Sequence, residues 1–142
     1  VFYIAGEAGL LFRSDNNGRS WQELPSPYEG SFFGILPLPD DTLLAYGLRG
    51  HVFRSADGGR HWQPVPTGTK ALLTDAARLP DGTIIITGMS GTILTSTDGG
   101  QTFSLRQPNR VSLTAVLIAA GDTVVLGGER GLKRCPLTDF SQ

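Results

Sequence analysis

Cysteine is almost absent from this chain, and methionine and lysine are nearly so. The single Cys135 cannot close an internal disulfide, which excludes a disulfide framework and leaves the compartment open. No base partner stands near it in the terminal segment, so it reads as an ordinary buried thiol. Lys70 and Lys133 are the only lysines, and Arg supplies the rest of the 12 basic residues. Net charge is small, −1 at neutral pH, so no overall field draws the chain to nucleic acid or an anionic membrane. Long apolar runs are missing: none approaches the roughly 18–20 residues that a membrane-spanning helix needs, and none reads as a secretory leader. His51 and His61 fall in different segments with no Cys or carboxylate cluster around them, so no metal or other cofactor is expected. The chain opens on Val1-Phe2-Tyr3-Ile4 without an initiator Met, and we expect a fragment or a processed form.

Turn residues, by contrast, are plentiful. The 19 Gly and 9 Pro are spread along the chain and cut it into many short segments, as in an all-β protein. The segments repeat. Arg13-Ser14-Asp15-Asn16-Asn17-Gly18-Arg19-Ser20-Trp21, Arg54-Ser55-Ala56-Asp57-Gly58-Gly59-Arg60-His61-Trp62 and Thr95-Ser96-Thr97-Asp98-Gly99-Gly100-Gln101-Thr102-Phe103 superimpose without gaps, 41 positions apart each time. We call each of these nine-residue segments a box. A Gly-x-x-Gly step precedes each box, at Gly6/Gly9, Gly47/Gly50 and Gly88/Gly91, and recurs one residue out of phase at Gly128/Gly131. Downstream, Leu38-Pro39-Asp40-Asp41-Thr42 matches Leu79-Pro80-Asp81-Gly82-Thr83.

Each unit holds four short apolar runs between turns. In the second unit they are Phe32–Leu38, Thr42–Gly47, His51–Ala56 and His61–Val65. None is long enough for an ordinary helix, and their β-branched and aromatic content predicts strands. Four strands in about 41 residues make one propeller blade. Ile84-Ile85-Ile86 does not alternate with polar residues, as expected of a strand covered on both faces by neighbouring blades. The fold class is therefore all-β, a β-propeller segment of about three and a half four-stranded blades.

In each box the Asp or Asn, namely Asn16, Asp57 and Asp98, is expected on a tight turn where it accepts backbone N–H bonds. The glycines, among them Gly18, Gly59 and Gly100, permit positive φ there. Ser14, Ser55 and Ser96 complete the turn. Trp21, Trp62 and Phe103 open the next strand and are expected to bury apolar surface between blades. Glycoside hydrolysis by the usual route needs two carboxyl groups roughly 5–10 Å apart on one site, and equivalent turns of successive blades do not supply that. The boxes read as scaffold. The Gly-x-x-Gly steps read as turns and not as phosphate loops, since no helix follows them.

Ser-x-Asp-Gly-Gly-x-Thr-Trp resembles the Asp-box, or bacterial neuraminidase, repeat. The form Gly-x-x-Gly-x-x-x-Arg-Ser-x-Asp-Gly-Gly-x-x-Trp, at Gly47–Trp62 and Gly88–Phe103, is similar to the photosystem II stability/assembly factor family. That resemblance implies a non-catalytic propeller that binds and assembles proteins, exported to a periplasm or lying in the thylakoid lumen. It also implies the strand order from the axis outward. On that order the blades are 1–24 (partial), 32–65, 73–106 and 113–142 (partial), in a single partial propeller over residues 1–142, with Leu137–Gln142 a ragged fourth strand at best. Sialidases share the box, so a fragment of an Asp-box glycoside hydrolase is the alternative. No Arg-Ile-Pro segment occurs, and Tyr28-Glu29 are adjacent and not a nucleophile pair.

The same order places the boxes on one rim and the Gly-x-x-Gly turns and interblade linkers on the other. Arg49, Arg130, Lys70 and Arg110 fall on the second rim, with Glu7 and Glu129 for contrast, and form a candidate site for an acidic protein partner. Arg13 and Arg54 lie beside their boxes and are expected to bond within them. Open blade faces and strand edges invite pairing; two copies would supply about seven blades, within the usual range of roughly 4–8. Light scattering on the isolated chain is expected to show an assembly larger than one chain; a stable, soluble monomer contradicts this.

Overall fold

Turn residues recur every few positions, so every element is short. The protein, seen in a computed structural model that describes residues 1–140, folds into four antiparallel sheets. The first holds β1 (Phe2–Ala5), β2 (Leu11–Ser14) and β3 (Gln22–Glu23). The second runs through β4 (Phe32–Pro37), β5 (Leu43–Gly47), β6 (Val52–Ser55) and β7 (Gln63–Val65). The third runs through β8 (Leu73–Arg78), β9 (Ile84–Gly88), β10 (Ile93–Ser96) and β11 (Ser104–Arg106). The fourth holds β12 (Leu113–Ala119), β13 (Thr123–Gly128) and β14 (Gly131–Pro136). Strands pair in chain order, and β4, β8 and β12 run side by side as the inner strands.

The strands β5 and β9 are buried along their whole length. Alternate residues point to opposite faces of a strand, so each of these two serves two interfaces. Leu44 and Tyr46 enter the core shared with the third sheet, and Ala45 enters the core shared with the first. Ile84 and Ile86 pack back toward the second sheet, while Ile85 packs toward the fourth. Each buried Leu or Ile contributes roughly 1.5–3 kcal/mol.

The inner strands also carry polar ties. In each, the pairing slips by one residue near its start, at Phe32/Gly34, Leu73/Asp75 and Leu113/Ala115. Thr74, in the second of these bulges, donates its hydroxyl to the Leu113 carbonyl at 2.8 Å. The next residue, Asp75, accepts the Val116 N–H at 2.9 Å. Both bonds cross from the third sheet to the fourth. Burial pushes the Tyr46 hydroxyl pKa up, and the nearby Asp75 carboxylate adds to the shift.

Two glycine positions are set by close approach. Gly50 has φ of 71°, and a Cβ there would lie 2.0 Å from the Thr69 carbonyl oxygen. Its partner in the same step, Gly47, would meet the Ser31 carbonyl at 2.4 Å. The Gly-x-x-Gly step is thus held between two interblade linkers. Gly34 stands where the third sheet has Asp75, and a Cβ on it would lie 2.1 Å from the Tyr46 hydroxyl.

The fourth sheet departs from the repeat. Tyr28, Thr69 and Arg110 meet Gly9, Gly50 and Gly91 at the 41-residue spacing, so the lost residue lies between Arg110 and Leu113. Gly128 pairs directly with Gly131 across a two-residue turn, whereas Met89–Gly91 forms a 3-10 turn. The fourth Gly-x-x-Gly is therefore a tighter hairpin and not a copy of the other three. Nor does a ragged strand follow: Leu137–Asp139 is a 3-10 turn, and Phe140 enters the core between the third and fourth sheets. Ser141 and Gln142 lie outside the described residues.

The outer faces of the end sheets carry exposed apolar side chains. Phe2 and Ile4 are 50% and 47% exposed, although their counterparts Leu43 and Ala45 are buried. At the other end Leu117 is 63% exposed. Gly34→Ala should overpack the site against Tyr46 and lower stability by about 1–3 kcal/mol in urea titrations. Gly6→Ala, with extended backbone and no contact closer than 4.0 Å, should be near neutral; equal effects would refute the assignment.

Candidate functional site

The boxes use up their own polar groups. Ser55 donates its hydroxyl to Asp57 at 2.8 Å and accepts the Gly59 N–H at 2.9 Å. One Asp57 oxygen takes the N–H groups of Arg60 and His61 at 3.1 and 2.9 Å, and the other meets His61 Nδ1 at 2.6 Å. His61, which has no acidic cluster around it in sequence, does have this one carboxylate beside it. The third box repeats the arrangement: Asp98 accepts from Ser96, from the N–H groups of Gln101 and Thr102, and from the Thr102 hydroxyl. In the first box Asn16 accepts the Ser20 N–H and donates its amide to the Ser20 hydroxyl.

These bonds favour the charged form. The His61 contact, with the turn N–H behind it, holds the Asp57 carboxyl well below its usual range. The Thr102 hydroxyl leads the forces that bring Asp98 down to about 2. A general acid for glycoside cleavage needs a raised pKa, so neither carboxyl is set up for that work.

The box aromatics differ in burial. Trp62 is half-buried, and its indole N–H is 3.0 Å from the Pro25 carbonyl of the preceding linker. Phe103 packs on the core between the second and third sheets. Trp21 is 40% exposed, because no sheet precedes it among the described residues. Phe140 is buried in the core between the third and fourth sheets.

The neighbouring arginines behave differently from one another. Arg13 bonds within its box, Nε to Asp15 at 2.9 Å, and so raises its own pKa through that bond. Arg54 instead reaches across, donating Nε to the Gly99 carbonyl of the next box at 3.0 Å. Its counterpart Thr95 stands where no box follows. Arg54 therefore joins successive boxes and does not close its own.

The opposite rim is built from the Gly-x-x-Gly turns and the linkers. Arg49 and Lys70 line one shallow depression of about 450 Å³, with His51 and the linker Pro66–Lys70. Arg49 sits at φ of 57° in its 3-10 turn. Arg110 holds the equivalent of the Thr69 position, its backbone against Gly91. Arg130 lies in the two-residue turn of the fourth sheet, a different setting from that of Arg49. The structure thus brings Arg49 and Lys70 together, while Arg130 lines another depression with Pro108 and Asn109, and Arg110 lines neither. Glu129 accepts the Ser112 N–H at 2.7 Å. Among the described residues the ion pairs are Arg13–Asp15 and His61–Asp57, both in boxes, and the four rim cations take part in none.

One feature of this rim escapes a sequence reading. Tyr28 stacks on Phe53, meets Phe32 edge-on and lies 4.5 Å from the His51 ring. Its position, 41 residues before Thr69, was the available signal.

No family model matches the chain, and no curated protein matches it. Solved structures do. An ancestral GH74 enzyme aligns with a TM-score of 0.79 at 19% identity, over 93% of this chain and 20% of that one. YCF48 bound to D1 peptide aligns at 0.61 and 16%, over 94% and 49%. YCF48 from Cyanidioschyzon merolae aligns at 0.66 and 16%, over 94% and 48%. At these identities the likeness establishes the fold, a β-propeller. The chain spans a fifth of the length of the GH74 structure and about half of each YCF48 structure.

Since the box carboxyls have lowered pKa values, their stabilising bonds are intact above the ordinary value of 3.8 and fail as pH falls toward 2. Asp57→Asn with Asp98→Asn should flatten the fall in stability between those pH values, read by denaturant titration. An unchanged acid profile would contradict the assignment.

Proposed function

We propose that this chain is part of a non-catalytic propeller that binds a protein partner through the rim of Gly-x-x-Gly turns and linkers. One observation carries the reading: in the boxes Asp57, Asp98, Arg13 and Arg54 are bonded within the box or to the next one, while Arg49, Lys70, Arg110 and Arg130 have no ion-pair partner among the described residues. Unpaired Arg and Lys on a folded rim suit charge-assisted bonds to an acidic segment. The resemblance of the repeat to photosystem II stability/assembly factors supports this, as does the likeness to YCF48, which has been solved with a D1 peptide. A periplasmic or thylakoid-lumenal site of action belongs to the same proposal. So does pairing with a second copy, which would cover Phe2, Ile4 and Leu117.

The likeness to an ancestral GH74 enzyme favours the alternative, a fragment of an Asp-box glycoside hydrolase. The ionised, fully bonded Asp57 and Asp98 speak against those carboxyls as its acid and base. Charge reversal of Arg49, Lys70, Arg110 and Arg130 together should abolish partner capture by the intact protein and leave its melting temperature unchanged. Retained capture sinks the rim reading, and glycan hydrolysis lost on removal of a carboxyl would favour the enzyme.

A further inference from the structure

A second charged depression lies on the box rim, between the second and third sheets. Both of these sheets hold four strands and have a sheet on either side, so its walls come from complete blades. It measures about 310 Å³, and Arg54 and Arg78 both line it. Arg54 is held there by the bond from its Nε to the Gly99 carbonyl, and its Nη atoms bond no group among the described residues. One of them lies 3.9 Å from where a Gly99 Cβ would stand. Arg78, exposed at the end of β8, has an Nη 3.6 Å from the corresponding point at Gly82. Two guanidiniums thus lean on turns of the third sheet, and neither is in an ion pair among the described residues. Such forks grip oxyanions through paired N–H bonds.

The second sheet contributes the opposite charge. Asp40 lines the depression from its turn, while Asp81 of the third sheet accepts the Thr83 N–H at 2.9 Å. Asp40 and Asp41 reverse the chain at φ of 61° and 56°, where the third sheet uses Gly82 at 92°. Asn-Gly is the easiest pair for a reversal with two positive φ angles, so the turn alone does not call for aspartate at 40. The Asp41 carbonyl accepts the Gly58 N–H at 2.8 Å, which pins this turn to the second box. Asp40 is therefore presented by an anchored turn, in the same depression as the two cations.

This arrangement selects a ligand with two kinds of polar group. Pockets for whole small molecules begin at about 300 Å³, so there is room for more than a bare ion. An oxyanion would take the guanidiniums, hydroxyl groups would donate to the Asp40 carboxylate, and Leu38 and Pro39 would cover carbon. We propose that this depression binds a small hydroxylated molecule esterified with phosphate or sulfate. The site lies on the rim opposite Arg49 and Lys70 and does not depend on the protein-binding reading.

Glucose 6-phosphate, glucose 6-sulfate, glucose and inorganic phosphate are the probes, titrated into the intact protein while its amide shifts are followed by NMR. At least one ester should shift Asp40, Gly82 and Gly99 saturably, and whichever does so identifies the acid group. Glucose should not. Arg78→Gln should weaken that ester by about tenfold with an unchanged melting temperature, and Arg78→Lys should weaken it less. Asp40→Asn, which tolerates the same backbone, should lower the affinity for the ester relative to inorganic phosphate. Failure of both esters to shift these amides overturns the proposal, as does equal binding by Arg78→Gln. Shifts confined to Arg49 and Lys70 place the ester on the opposite rim and overturn this site alone. Inorganic phosphate binding as tightly as the ester overturns the hydroxylated class.

Discussion

The second strand of each full blade must be buried on both faces, and most of the architecture depends on that. A sheet that packs against one neighbour can alternate apolar and polar residues, but β5 and β9 have neighbours on both sides. Ile84-Ile85-Ile86 sends successive side chains into different cores; the core between the second and third sheets draws on both strands of this kind, and each of the other two cores on one. Sheets sharing their cores in this way cannot drift apart without exposing Leu and Ile. Hence the linkers are tight enough to press carbonyls onto Gly47 and Gly50. Crowding also explains Gly34, whose missing side chain makes room for Tyr46. Where the third sheet has Asp75 at that place, the side chain turns to the next blade and binds the Val116 N–H.

This constraint separates the two rims. On one, the chain must reverse tightly between the third and fourth strands, and the box does so with a serine hydroxyl and a carboxylate that accept the turn's own N–H groups. The carboxylates Asp57 and Asp98 are already bonded to the turn there, and Arg54 gives its Nε–H to the next box. On the other rim glycines and linker backbone do the reversing. Side chains such as Arg49 and Lys70 are left over, with no partner in an ion pair. The self-bonded box groups and the unpaired rim cations thus fall at opposite ends of the same short strands.

Repetition made the blades legible in the sequence. Three boxes at one spacing set the phase, and the observed strands β4 to β7 fall within the runs read from the second unit. What was not legible depends on neighbours in space. Arg54 looks identical to Arg13 in its box, yet its bond runs to Gly99, 45 residues on. The Gly128/Gly131 spacing matches the other steps letter for letter. One lost linker residue and a direct Gly128–Gly131 pairing turn it into a different hairpin. Trp21 and Trp62 are the same residue at the same place, and only the presence of a preceding sheet makes one half-buried and the other exposed. Phe140 has no motif around it, and its part in the last core comes from the turn at Leu137–Asp139.

Amide hydrogen exchange resolved by residue tests the two-sided strand most directly. The amides of β5 and β9 should be the slowest in the chain and exchange only with global unfolding. Those of the outer strands β7 and β11, largely exposed in the same sheets, should exchange earlier. If β7 or β11 proves as protected as β5 and β9, the fold does not rest on strands shared between two cores.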